Sequence, residues 1–404
     1  MQKSIIKKLK YHITLLIVYI LLLGCNSHLV RDEVEQYEFY TIDFKKSFET
    51  EQQMFISEIA DTVEYLELKT PEDIVITRIW KVIHYGNYLI IHARWNTYLF
   101  NKDGQFICRI GNVGEGPGEY ITTCDVGVDY RKKEILLADV RKIIRYDFEG
   151  KFLRYHLAYT ENIAIGISDS ILWTSNMIYS INTKYQATAY SLNNETEEPI
   201  AYIPNPAYTT EKSDNAGYVG VPFTNMFYYK NDFLFFKGEP SNDTIWKISG
   251  TNITPHAFIN MGKYKLPFEN EAWISMDNYW NSNDMYWGVP SLVEDDNYFF
   301  LFSLNRTSGK ENPNLKYIVY DKKKGKGFAV NDNNGMGITD DIHRSIPIWP
   351  RWSSDEYYIS AIEPHELLEQ IESGDYSPST QFNELLSRIG EDSNQLIVLC
   401  RKKK

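Results

Sequence analysis

Short apolar segments alternate with polar turns along most of the chain. From Tyr85 to Phe106 a turn precedes an apolar strand, a second strand ends in an aromatic residue, and a glycine-containing hairpin leads to a third strand. The same order returns from Tyr130 to Phe152. Equivalent positions in the two copies are 46 residues apart (136 − 90, for example): Ile90 and Leu136, Phe100 and Tyr146, Gly104 and Gly150, Phe106 and Phe152.

Weaker copies of this unit follow, which makes six in total. They begin near Ser168, Lys230, Glu294 and Ser353, and the last is divided by helical sequence before Gln395–Cys400. Strands that recur in units of roughly 40 to 50 residues are typical of β-propellers, whose blades bury their faces against each other. We therefore predict an all-β fold, a six-bladed β-propeller with short helical insertions. A β-sandwich or two unrelated domains would not explain the 46-residue spacing.

Two further features refine this fold. The strand-like segment Thr62–Thr70 precedes the first full copy, so it is predicted to complete the last blade and close the ring. Helical insertions are predicted near 265–290 and 363–390. In the second insertion Ser379 and Thr380 are placed to cap a helix and Gly390 to end it. Its apolar stripe has helical spacing: Phe382, Leu385, Leu386 and Ile389.

The N-terminus has the parts of a secretory signal. Lysines precede an apolar run, Ile13–Leu23, which Gly24 and Cys25 follow. Eleven helical residues reach about 17 Å, well short of the roughly 30 Å of a bilayer core. Because the segment resembles a bacterial lipobox, we predict a signal peptide at 1–24 and a lipid on Cys25. Residues 25–54 are then a tether and 55–404 the propeller.

The chain is acidic, with a formal net charge of −12. Removing residues 1–24 removes four lysines, so the mature charge is 38 − 54, or −16. This charge argues against nucleic acid as a partner, and it makes the acyl chains the predicted membrane attachment. Asn26 gives no inner-membrane retention signal, so we expect an outer-membrane lipoprotein of the cell envelope, facing the periplasm or the outside.

Three cysteines remain after lipidation: Cys108, Cys124 and Cys400. An odd number excludes a fully paired set of disulfides, and a Cys108–Cys124 bond stays open beside two free thiols. No CxxC or HxxxH spacing indicates zinc. The segment Asn331–Gly335 lacks the first ligand of an EF-hand, so no metal and no cofactor is predicted.

The segment RIGNVGEGPGEY, residues 109–120, has the composition of a phosphate loop. Pro117 and Gly118 stand where a Walker loop needs Lys and Ser or Thr, and Glu115 and Glu119 would repel a phosphate. We therefore interpret it as a structural connection in which the glycines adopt positive φ: Gly114, Gly116 and Gly118, with Pro117 adding stiffness.

A candidate ligand site is formed by aromatic residues that the repeats do not require. Large rings interleaved with amides and carboxylates suit a sugar or peptide, and the alternative is that they pack an insertion onto the ring. The residues are Trp273, Tyr279, Trp280, Tyr286, Trp287, Trp349 and Trp352. The sequence predicts no catalytic residues, since no G-x-S-x-G motif is present.

Several segments together carry a family resemblance: FISEIADTVEYLELKT, GEGPGEY, YDFEGKF, SNDTIWKI followed by INMGKYKLP, and NDNNG. With them the chain, over about residues 55–400, resembles six-bladed propeller lipoproteins of Gram-negative gut anaerobes, relatives of NHL-type propellers. The resemblance implies a fold and export, and no activity. We expect a binding scaffold for a peptide, glycan or partner protein. The alternative is a channel-centred, metal-dependent hydrolase or lyase of the NHL or lactonase kind.

Overall fold

All the described strands and helices belong to one compact unit, Phe39–Lys404. A computed structural model describes residues 38–140, 142–157, 163–176, 178–179, 183–193, 198–206, 208, 210, 219–220, 226–236, 243–265, 287–305, 315–331, 337–374 and 376–403. Six small sheets form a six-bladed β-propeller, which confirms the predicted fold class.

The described chain starts with short elements outside the repeats. They are β1 (Tyr40–Asp43), α1 (Phe44–Glu49), β2 (Glu51–Gln52), α2 (Ile56–Ile59) and β3 (Ala60–Leu66). Blade 1 follows as β4 (Ile79–Tyr85), β5 (Tyr88–Ala93), β6 (Asn96–Asn101) and β7 (Phe106–Ile110). A short pair, β8 (Asn112–Val113) and β9 (Glu119–Tyr120), leads to blade 2: β10 (Thr123–Asp129), β11 (Glu134–Asp139), β12 (Lys142–Tyr146) and β13 (Phe152–Leu157).

The remaining blades repeat this antiparallel order. Blade 3 has β14 (Ile163–Ser168), β15 (Ile171–Asn176), β17 (Tyr185–Ser191) and β18 (Ala201–Pro204), and β16 (Ile178–Tyr179) pairs with β19 (Val219–Gly220). Blade 4 has β20 (Met226–Tyr229), β21 (Asp232–Phe235), β22 (Thr244–Ser249) and β23 (Asn252–Asn260). Blade 5 has β24 (Trp287–Glu294), β25 (Tyr298–Asn305), β26 (Leu315–Asp321) and β27 (Lys326–Val330). Blade 6 has β28 (Trp352–Ser353), β29 (Tyr357–Ile362), β30 (Leu396–Lys402) and β3.

Alternation along each strand explains how the blades stack. In β5, Leu89 and Ile91 pack with residues of blade 6, whereas Ile90 between them packs with residues of blade 2. Successive side chains of a strand point to opposite faces, so a strand with a blade on each side is apolar throughout. This is why strands such as β5 and β11 are continuous apolar runs in the sequence.

The ring closes through the N-terminal strand, as predicted. β3 pairs antiparallel with β30, and the register places Val63 opposite Cys400 and Leu66 opposite Ile397. The strand is Ala60–Leu66, so it begins and ends a few residues earlier than the predicted Thr62–Thr70. Blade 6 thus combines a strand that precedes blade 1 with the C-terminal strand in one sheet.

The predicted tether at 25–54 is wrong from Tyr40 onward. β1 pairs in parallel with β23, the outer strand of blade 4, and β2 pairs in parallel with β27, the outer strand of blade 5. Between them α1 is capped by the Asp43 carboxylate, which accepts a hydrogen bond from the Lys46 backbone N–H at 3.0 Å. We call residues 40–52 the N-terminal strap, since they join two blades from outside.

Two helices lie in the second predicted insertion. They are α3 (Pro364–Glu372) and α4 (Thr380–Leu386), and the Ser379 hydroxyl caps α4 as predicted by accepting from the Phe382 N–H at 3.3 Å. Phe382, Leu385 and Ile389 are buried, which confirms the apolar stripe. The helix ends at Leu386, before Gly390. The first insertion falls in 266–286, outside the described residues; a 3₁₀ turn, Gly262–Tyr264, precedes it.

None of Cys108, Cys124 and Cys400 forms a disulfide bond. Cys108 lies on the outer strand of blade 1 and Cys124 on the innermost strand of blade 2. Within the described ranges no helix is both long and apolar enough to cross a membrane.

Candidate functional site

The glycine-rich loop is held by its own side chains and by those of blade 2. The Gly116 N–H donates to Glu119 Oε2 at 2.9 Å, Lys142 Nζ donates to the Gly116 carbonyl at 2.8 Å, and the Tyr146 hydroxyl donates to the Gly118 carbonyl at 2.9 Å. These donors and acceptors are thus engaged within the protein, as expected of a structural connection between blades 1 and 2.

The reason that glycine is needed there differs from the prediction. Only Gly111 has a left-handed φ (+68°), and Gly114, Gly116 and Gly118 do not. A β-carbon at Gly114 would lie 2.0 Å from Glu119 Oε2, and one at Gly118 would lie 2.7 Å from the Phe152 ring. At Gly118, close approach of the Phe152 ring rather than positive φ therefore requires glycine. Sequence alone does not show which atoms a glycine must accommodate.

A cavity of about 1150 Å³ occupies the centre of the ring. The innermost strands β4, β10, β14, β20, β24 and β28 all contribute to its wall. These strands run in the same direction, so their first residues meet at one end of the ring. β29 runs back to that end before α3 begins, and α3 adds Glu366, Glu369 and Gln370 to the lining. We call this end the helix face.

Aromatic contacts join the blades at the other end of the channel. The ring centroids of Tyr85 and Tyr130 are 5.2 Å apart and those of Tyr130 and Tyr228 are 5.9 Å apart. The Tyr228 hydroxyl donates to Asp355 Oδ1 at 2.9 Å, which links blade 4 with blade 6. Burial raises the pKa of Tyr130 and Tyr228, so both phenols stay neutral at physiological pH.

Trp80 and Trp352 line the cavity near the helix face, and Trp95 lies beside Trp80. Trp80, on β4, is 39% exposed and Trp95, in the turn after β5, is 49% exposed. Their ring centroids are 5.1 Å apart at 89°. Trp352 begins β28 on the neighbouring blade, and the Arg351 guanidinium lies 5.0 Å above its ring.

Polar groups below this mouth tie blades 1, 2 and 3 together. Lys81 Nζ is 2.9 Å from Asp125 Oδ1, and Asp125 Oδ2 accepts from the Ile165 N–H at 2.9 Å. His92 Nδ1 lies 3.0 Å from the Thr97 hydroxyl, and burial lowers the pKa of His92 to about 4. His92 is therefore neutral at pH 7 and supports the edge of Trp80, 5.6 Å away between centroids.

A second polar cluster is sealed between blades 4 and 5. His256 Nε2 lies 2.7 Å from Glu294 Oε1, and Lys322 donates to the same oxygen. Glu294 is fully enclosed and is not part of the cavity wall. Across the described part of the chain, no three His, Cys, Asp or Glu side chains are grouped so that they could hold a metal ion. The charges of this cluster thus serve blade packing.

The predicted aromatic residues separate into three groups. Trp273, Tyr279, Trp280 and Tyr286 lie outside the described residues, as does Cys25. Trp287 is 7% exposed and packs edge-to-face on Phe48 of α1, with ring centroids 4.8 Å apart. For this residue the alternative interpretation, a packing role, is the one that the structure supports. Trp349 is 7% exposed and contacts Tyr317 at 4.8 Å, but it also lines the cavity with Trp352.

Trp80 and Trp95 were not predicted from the sequence. Trp95 lies in the first full copy of the repeat and Trp80 lies five residues before that copy (85 − 80), in a strand-like segment where an aromatic residue is readily explained as blade packing. A useful signal was the sequence HARWN, because a tryptophan in a polar hairpin turn has no strand neighbours to pack against.

The ring of six sheets around a channel defines the protein as a β-propeller. The chain belongs to the family described as a domain of unknown function, DUF4934, whose profile matches residues 39–401. The matched region starts at the N-terminal strap, in agreement with its place in the fold. No protein of curated function matches the chain.

The chain is similar to several solved structures. A putative exported protein of Bacteroides fragilis is 18% identical, with a TM-score of 0.65, and the match covers 91% of this chain and all of the other. The N-terminal domain of Nup159 gives a TM-score of 0.39 at 10% identity, covering 78% of this chain and 76% of the other. The extracellular domain of a putative one-component system of B. thetaiotaomicron gives 0.37 at 10%, covering 66% and 29%.

Proposed function

We propose that the protein is a binding scaffold of the cell envelope that holds a glycan, a peptide or a partner protein at the helix face. The observation that supports this most is the cavity of about 1150 Å³, with Trp80, Trp349 and Trp352 on its wall. Concave, largely apolar sites with a few polar groups are typical of ligand binding. Arg78, Lys81 and Arg351 supply cations on this wall, and Glu366 and Glu369 of α3 supply carboxylates at the helix face.

Replacing Trp352 tests this function. Trp352→Ala should lower affinity for the ligand at least about tenfold, because a stacked aromatic ring contributes roughly 1 kcal/mol or more beyond its buried area. Envelope glycans and peptides are screened for binding to the full chain, and the hits are then titrated by calorimetry. Trp352→Phe, which retains a ring, should keep most of the affinity.

The matched control is Tyr202→Ala, which removes an exposed ring from the outer strand of blade 3. Equal binding by Trp352→Ala, Tyr202→Ala and the unchanged protein would place the ligand elsewhere and refute the proposed site. Cooperative melting of each variant shows that the propeller is intact.

We also propose that the protein is exported and anchored through a lipid on Cys25, with the outer membrane as its destination. The lysine-rich start, the short apolar run and Gly24–Cys25 support this, and the structural resemblance to a putative exported protein agrees with export. In this arrangement the acyl chains hold the protein at the membrane, so attachment does not require a basic patch on the protein surface.

Cys25→Ala should release the protein from membranes. Without the acyl chains the acidic propeller has no predicted membrane contact, so cell fractionation should move it from the membrane pellet to the soluble fraction. Cys124→Ala is the control and should leave the pellet unchanged. Continued membrane association of Cys25→Ala would show that the anchor has been assigned wrongly.

A further inference from the structure

The tryptophan pair at the cavity mouth has the form of a ligand platform. Trp80 and Trp95 cross at 89° with centroids 5.1 Å apart, and both remain substantially exposed. Exposed tryptophans are uncommon in soluble proteins, since the indole ring carries a large apolar surface. Two of them side by side, next to a cavity, present flat apolar faces that the propeller does not cover.

An arginine accompanies each tryptophan in the chain. Arg78 precedes Trp80 by two residues and Arg94 directly precedes Trp95. The two backbones are joined, because the Arg94 N–H donates to the Arg78 carbonyl at 3.1 Å. Both arginines are in the left-handed region, with φ of 52° and 49°. Residues other than glycine rarely adopt this conformation, so the backbone holds both arginines in an unusual geometry.

Neither guanidinium has an ion-pair partner among the residues that the structure describes. Arg131, Arg145 and Arg388, by contrast, pair with Asp169, Glu134 and Glu67. Lys81 at the same mouth is engaged by Asp125, and the charge of Arg351 faces Glu363 and Glu366. In a chain of net charge −12, Arg78 and Arg94 thus present two exposed positive charges on hydrogen-bonded stretches of backbone.

We propose that Arg78, Trp80, Arg94 and Trp95 bind an anionic glycan. The indole faces would stack on the C–H face of a sugar ring, and the guanidinium forks would bind its carboxylate or sulfate groups. An acidic peptide would satisfy the arginines but offers few flat C–H faces, so the tryptophan pair favours the glycan. This inference rests on the proposed function and specifies its ligand.

The test compares four probes on the full chain by calorimetry. They are an oligogalacturonate, a chondroitin sulfate oligosaccharide, a neutral malto-oligosaccharide and poly-glutamate. We expect one or both anionic glycans to bind, with affinity that falls as salt rises, and the other two probes to bind at least about tenfold more weakly. Which anionic glycan binds identifies the charged group as carboxylate or sulfate.

Variants then assign the contacts. Arg78→Gln with Arg94→Gln, and separately Trp95→Ala, should each lower anionic-glycan affinity at least about tenfold. Arg344→Gln is the matched control, because Arg344 is also exposed and left-handed (φ 58°) but neighbours neither Trp80 nor Trp95 in the chain. It should bind as the unchanged protein does. Melting curves establish that each variant is folded.

Three results would overturn the inference: equal binding of poly-glutamate or the neutral glycan, an equal loss in Arg344→Gln, or no binding of either anionic glycan. A peptide or neutral ligand whose binding is lost in Trp352→Ala but kept in the double arginine variant would overturn this inference alone. The proposed binding function would then stand with a different ligand.

Discussion

A chain that begins at residue 72 is expected not to fold into a stable propeller. It lacks β3, whose pairing with β30 runs from Ala60–Lys402 to Leu66–Ile397 and completes blade 6. It also lacks buried apolar side chains that pack under the helices and between blades 6 and 1: Ile56, Ile59, Val63, Leu66 and Leu68. Each contributes about 1.5 to 3 kcal/mol on burial, and together they match the roughly 5 to 15 kcal/mol of a typical domain.

The effect of β3 is separated from that of the N-terminal strap by two further chains. One beginning at residue 38 keeps every described contact of the propeller and should melt as the full chain does. One beginning at residue 54 loses the strap but keeps the ring closed, so it should show a lower yet cooperative transition. The chain beginning at 72 should aggregate, because the unpaired edge of β30 is exposed. Cooperative melting of that chain near the temperature of the residue-54 chain would contradict closure through β3.

The fold could be predicted from the repeated pattern of strands and turns, because each blade of a propeller has a similar sequence pattern. Ile90 and Leu136 take equivalent places in the second strands of blades 1 and 2, as the 46-residue spacing predicted. Ser379 and Phe382 were also predictable, since a cap and an apolar stripe are local patterns. Features that depend on a single distant contact were not predictable in this way. Gly118 is one, because the Phe152 ring that requires it lies 34 positions further on (152 − 118).

The candidate site was predicted only in part for the same reason. Trp349 and Trp352 stood out since they lie outside the repeats, and both line the cavity. Trp80 and Trp95 lie in blade 1, where the side-chain direction depends on the turn at Arg94 and on the irregular pairing between Ile79 and Lys81. Neither local pattern indicates that the two rings meet at the channel mouth. Whether the two rings are exposed depends on how the blades pack in the closed ring, which no local sequence pattern shows.

Phe44→Ala is expected to be the most damaging single substitution in the N-terminal strap. Phe44 has no exposed surface and lies 6.0 Å, between ring centroids, from both Phe48 and Tyr264 in the core shared by blades 4 and 5. Truncating a buried phenylalanine costs about 3 to 5 kcal/mol, through lost burial and the cavity left behind. Urea unfolding should therefore show a lower midpoint with a similar slope.

Phe39→Ala is the matched control, because Phe39 lies one residue before β1 and is 52% exposed. An exposed substitution of this kind usually changes the free energy of unfolding by less than about 0.5 kcal/mol. If residues 40–52 were only a tether, both variants would unfold at the same urea concentration as the unchanged protein. A large loss of unfolding free energy in Phe44→Ala with none in Phe39→Ala would instead show that β1 and α1 are part of the propeller. The two phenylalanines are five positions apart (44 − 39) and would then differ only in what they pack against.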